Sequence, residues 1–268
     1  MNDTAAERRE GFLVALRPLR RRDPLHWLAL GWRDFRRAPA IGLFYGGCFV
    51  IMAWALLEVY ANAPAYVLAL AAGFLLAGPF LCMGIYQVSE QLELGNRPSF
   101  VDSVLAWRRK TDTLAIFGFV LLVLELLWGR ASLVVFVLSF DGMPDFKGSL
   151  LALLDPKNLG FIVAYLAVGG VFAALIYAIS VVSIPMILDR RTDAITAGLT
   201  SVRLVLDQPA VMIGWGALIT LLVVLAMLPW FIGLFVVGPV LGHASWHAYR
   251  SAVAGERTDV GEAQGQAG

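Results

Sequence analysis

Two histidines, one carboxylate–guanidinium pair and two thiols hold most of the reactive chemistry in this 268-residue chain. His243 and His247 stand four apart, so on a helix both imidazoles leave the same face and could share a metal ion or ligate haem. His26, the only other histidine, falls on a different predicted helix, and no carboxylate lies close in sequence to orient either ring. The competing reading is an anchor, because His243, Trp246, His247, Tyr249 and Arg250 make a cluster suited to headgroup depth. Glu125 and Arg130 interrupt a long apolar run, and ionisable groups at membrane depth point to function by default. Five residues apart, they sit poorly for a helical pair, yet a break at Gly129 would let them meet and line a cavity. Otherwise the span ends there, with Arg130 reaching the outer headgroups and Trp128 in the aromatic belt. Cys48 and Cys82 lie in apolar windows at similar depth, where a thiol most often serves as a small hydrophobe.

The elements that must position these groups are membrane helices. The chain is 59% hydrophobic and 15% charged, with a mean hydropathy of +0.74, far from a soluble composition. No Asp, Glu, Lys or Arg occurs between Arg37 and Glu58, Glu58 and Glu90, Lys157 and Asp189, or Asp207 and Arg250. A spanning helix needs about 20 apolar residues, so the last window holds two. Residues 1–23 are Arg-rich and lack the apolar core of a signal peptide; they are expected to form a disordered basic cytoplasmic tail. Asp23-Pro24 then opens an amphipathic surface helix with Leu25, Leu28, Trp32 and Phe35 on one side and Arg33, Arg36 and Arg37 on the other. Pro39 turns the chain into the first span, residues 40–60.

Span two is expected over 65–88, a second surface helix over 99–110, and span four over 159–188. A third surface helix covers 192–206, and spans five and six cover 209–227 and 230–249. The segment 113–140 is too long for one straight span: either it ends near 128–130 with an apolar segment beyond, or it is a tilted helix broken at Gly129. Residues 251–268 are small and polar and are read as a disordered tail.

The pattern repeats. Trp32 to Pro39 and Val202 to Pro209 have equal spacing, as do Gly78-Pro79 to Gly95 and Gly238-Pro239 to Gly255. The fold class is thus an all-α polytopic membrane bundle of about six transmembrane helices. It is built as three parallel repeats of a surface amphipathic helix plus a helical hairpin, with units at 24–95, 99–188 and 192–250 in one domain of residues 24–250. Arg and Lys crowd the connections on one side, which the positive-inside rule makes cytoplasmic and which places both termini there.

The segments GWRDFRRAPA and GHASWHAYR carry a family likeness. With them the chain resembles an uncharacterised family of bacterial multi-pass integral membrane proteins known by a domain-of-unknown-function label. The resemblance implies an inner-membrane protein and supplies no activity, substrate or catalytic residue. P-loop, GxSxG, HExxH and CxxC patterns are absent from the sequence, so no enzyme activity and no cofactor are expected. The first functional reading is a non-enzymatic scaffold, assembly or envelope factor. Its partners are anionic lipid headgroups, met by Arg33, Arg36, Arg37, Arg108, Arg109, Lys110, Arg190 and Arg191, and other membrane proteins rather than nucleic acid. The alternative is a carrier or channel for a small or lipid-like solute using Glu125 and Arg130; the third is a metal or haem protein through His243 and His247.

Overall fold

In lipid every backbone N–H and C=O must be satisfied within its own segment, so uncharged apolar windows of this length fold as helices. The computed structural model describes residues 14–63, 66–139, 159–190 and 192–253, and every regular element among them is helical. In chain order these are α1 (Asp23–Arg37), α2 (Pro39–Asn62), α3 (Val67–Glu93), α4 (Phe100–Val104), a 3-10 turn (Ala106–Lys110), α5 (Thr111–Ser139), α6 (Leu159–Ser180), α7 (Ser183–Asp189), α8 (Ala194–Asp207), α9 (Pro209–Met227) and α10 (Leu234–Ala252).

Four stretches among the described residues are long and apolar enough to cross a membrane: Pro39–Asn62, Thr111–Ser139, Leu159–Asp189 and Pro209–Met227. Of the six expected spans, α3 and α10 are helical but fall outside that set. In α10 the reason is its second half, where His243, Ser245, His247 and Arg250 replace apolar residues.

Prolines and small residues decide the joints. Ala38 (φ −132°, ψ 56°) separates α1 from α2, and Gln208 (φ −131°, ψ 53°) separates α8 from α9 in nearly the same conformation. At both, the linking N–H closes back four residues, onto the Asp34 and Leu204 carbonyls, and a proline follows at the helix start. Pro185 cannot donate to Val181 and its ring crowds that carbonyl, so the chain breaks at 181–182 and the expected fourth span divides into α6 and α7. Pro239 likewise withholds its bond from the Phe235 carbonyl. Gly46 of α2 packs so tightly there that any Cβ on it would collide with that oxygen.

Three expectations need correction. Segment 113–140 carries neither a break at Gly129 nor an end near 128–130: α5 is one 29-residue helix. The surface helix expected over 99–110 is two short pieces meeting at Leu105; Ser99 caps the first, accepting from the Asp102 N–H, and the second starts without a side-chain cap. The tail expected through residue 23 is held from its described start: Leu16 bridges Val253, Arg17 N–H donates to the Ala252 carbonyl, and the Gln208 side chain bonds the backbone of both Arg17 and Leu19. The free carbonyls ending α10 recruit that strand-like stretch. Of the C-terminal tail expected over 251–268, residues 251 and 252 complete α10, and 254–268 lie outside the described residues.

Burial is uneven along the spans. It gathers in the first halves of α2, α5 and α9, the last halves of α3 and α10, and all of α7, which is one and the same end of the bundle. Trp27, Trp215, Trp246 and Tyr249 fill this base, with Trp27 and Trp215 edge to face at 5.5 Å. Toward the other end Leu133, Val137, Leu138, Leu159, Val163 and Leu228 are exposed, an apolar surface that suits lipid.

Candidate functional site

α1 and α10 approach closely because Gly31 has no side chain: a Cβ there would lie 2.6 Å from the Val240 carbonyl oxygen and 2.7 Å from Ala244 N. That approach sets which face of α1 is inward. Trp27, Gly31, Asp34 and Phe35 are buried, while Leu25 and Trp32, expected on the apolar side, are exposed. Arg33, Arg36 and Arg37 remain outside.

Asp34, 1% exposed, meets His247 across this contact: His247 Nε2 donates to Asp34 Oδ2 at 2.7 Å. Burial by itself would raise the Asp34 carboxyl. The hydrogen bond and charge of His247, with the charges of His243 and Arg33, outweigh it and hold the carboxyl below its usual range. Arg33 Nε stands 3.6 Å from Asp34 Oδ1, too far for a hydrogen bond, and Oδ1 is buried with none. One turn earlier on α10, His243 Nδ1 and Ser89 Oγ of α3 share a 2.7 Å hydrogen bond, both residues fully buried. These two bonds do not chain into a nucleophilic triad. Asp34 orients His247 while Ser89 sits on His243, and Ser89, 0% exposed, offers its hydroxyl to no substrate.

The two histidines are therefore brought together with partners the sequence did not reveal, Asp34 and Ser89, which lie 213 and 154 residues away. Among the described residues no group of three His, Cys, Asp or Glu side chains has metal-holding geometry. Cys48 and Cys82 are free thiols, each partly buried.

The end of α10 carries a second polar cluster. Arg250 bonds Glu93 of α3 at 3.0 Å and reaches Asp189 of α7 at 3.4 Å; Trp246 Nε1 donates to Glu93; the Tyr249 hydroxyl donates to Asp189. Arg190, expected at the headgroups, donates through Nε to the Tyr249 hydroxyl at 2.9 Å. Arg108 is exposed and Lys110 half-buried; the Arg109 side chain and Arg191 lie outside the described residues. The Asp193 carboxyl caps α8, and the Thr196 and Ile195 N–H groups it accepts from hold it below the usual carboxylate range.

Glu125 and Arg130 do not meet. With α5 continuous, Glu125 is 6% exposed on its inward face and Arg130 stands exposed on another.

Fold and site together define an integral membrane protein whose helices are tied at one end by a buried polar and aromatic base. Residues 67–189 match a family described as "Predicted integral membrane protein (DUF2189)", a family without assigned function. No curated protein and no solved structure matches the chain.

Proposed function

We propose that this chain is a non-enzymatic scaffold of the bacterial inner membrane, both termini cytoplasmic, that seats a broad basic surface on the inner leaflet. One observation carries this reading: the buried Asp34–His247 bond fastens α1 to the bundle with Arg33, Arg36 and Arg37 outward. A helix so fixed presents its charges at a set height and angle, which a loose tail could not do. Six spans fit the same picture, with α3 and α10 returning the chain to the base after α2 and α9. The matched joints at Ala38 and Gln208 support a repeat between the first and third units, while the divided helix at Phe100–Lys110 makes the second unit its degenerate copy.

Reconstitution in nanodiscs tests the seating. Phosphatidylglycerol should raise the melting temperature above that in phosphatidylcholine, and high salt should remove the increment. The Arg33→Ala/Arg36→Ala/Arg37→Ala variant should lose most of it, each charge being worth about 1 kcal/mol at such a surface. Equal melting in both lipids would overturn the proposal.

A carrier is the second reading, favoured by one observation: Glu125 is buried in the middle of a membrane-spanning helix without an ion-pair partner among the described residues.

A further inference from the structure

Glu125, Trp128 and Ser132 follow at spacings of three and four along α5, so they share a face from the middle of the helix outward. Glu125 and Ser132 are 6% and 5% exposed, and Glu125 Oε2, Trp128 Nε1 and Ser132 Oγ are all buried without a hydrogen-bond partner. The face turns onto α6. Trp128 meets Tyr165 edge-on with centroids 6.5 Å apart, and Tyr165 packs on Phe161 at 5.6 Å. Opposite the indole stands Gly169, whose Cβ position lies 3.5 Å from Trp128 Nε1, and next to it Gly170 has nothing within 4 Å.

Unmatched polar atoms are costly at membrane depth, and three on one face of one span call for an occupant. A buried carboxyl there is stable with a proton on it or a cation beside it. The surroundings choose between cations. One carboxylate with the Ser132 and Tyr165 hydroxyls supplies too few oxygens for a hard metal ion, whereas an indole on the same helix face as a carboxylate, with a phenol ring against it, attracts an organic cation.

We propose that the α5–α6 seam is a binding site for a lipophilic organic cation, taken up in exchange for a proton on Glu125. The exchange balances: the protonated carboxyl loses one proton as one cation binds, and the site's charge is unchanged. This inference rests on the carrier reading and does not involve Arg130.

Tetraphenylphosphonium serves as the probe. In weakly buffered detergent solution the protein should bind it saturably and release about one proton per cation bound. Glu125→Gln should abolish both, Trp128→Ala should weaken binding about ten-fold, and Arg130→Ala should change neither. A measurement on the unaltered protein guards against a misfolded variant. Dicyclohexylcarbodiimide, which attacks protonated carboxyls in apolar surroundings, should modify Glu125, and tetraphenylphosphonium should protect it. No saturable binding, binding that persists in Glu125→Gln, or modification indifferent to the cation would each overturn the site. Any of these outcomes leaves the scaffold reading to its own lipid test.

Discussion

Asp34 was the least visible member of the base. It stands among arginines in a basic segment with no local pattern that marks it as buried; only the close approach permitted by Gly31 turns it inward onto His247. The pairing of His243 and His247 on one face was readable from their spacing, but their partners come from α1 and α3, and no local pattern encodes such distant contacts. Removing His247 leaves a buried carboxylate without its donor, and removing Asp34 leaves the buried ring without its acceptor, so Asp34→Asn or His247→Ala should each destabilise the fold by about 3 kcal/mol. Thermal unfolding of both single variants and the double variant checks this. The double should cost markedly less than the sum of the singles. The pair also sets an acid limit. Because folding lowers the Asp34 carboxyl from its ordinary value near 3.8, its stabilisation is complete above that value and is lost as the pH falls through the lower, folded value. Melting temperature followed from pH 7 downward should show a drop in that acid window that is smaller in Asp34→Asn.

Between elements, the decisive features are absences of bulk. Gly31 against α10 and Gly46 against the Phe235 carbonyl let helices touch backbone to backbone, as small residues do throughout membrane bundles. Gly31→Val and Gly46→Val should therefore each destabilise by about 1–3 kcal/mol through forced separation. Gly73→Ala, which meets nothing within 4 Å, should be neutral or slightly stabilising in the same melting assay. Pro39 and Pro209 are legible as helix starts because their chemistry is local, whereas the expected fourth span runs through Pro185 and the chain breaks just ahead of that residue. In α5 the local signals point the wrong way. Its glycine, arginine and excess length all suggested a break, yet nothing in Gly129 forbids helix, and the backbone bonds continue through it.

For the molecule as a whole, membrane residence follows from the spacing of charges alone, because hydrocarbon tolerates so few. Which end would be packed did not follow from it. The burial that ties α1, α3, α7 and α10 into one base depends on side chains meeting across the entire chain, and a hydropathy profile does not see those meetings. In the proposed topology this base, with its arginines, faces the cytoplasm while α2 and α3 form a hairpin that crosses and returns. Single-cysteine labelling in spheroplasts tests it most directly. In a Cys48→Ala/Cys82→Ala background, a membrane-impermeant maleimide is applied to Ala61→Cys, at the end of α2, and to Asn96→Cys, just beyond α3. Ala61→Cys should be labelled in intact spheroplasts and Asn96→Cys only after lysis. Labelling of Asn96→Cys from outside, alone or together with Ala61→Cys, would contradict it.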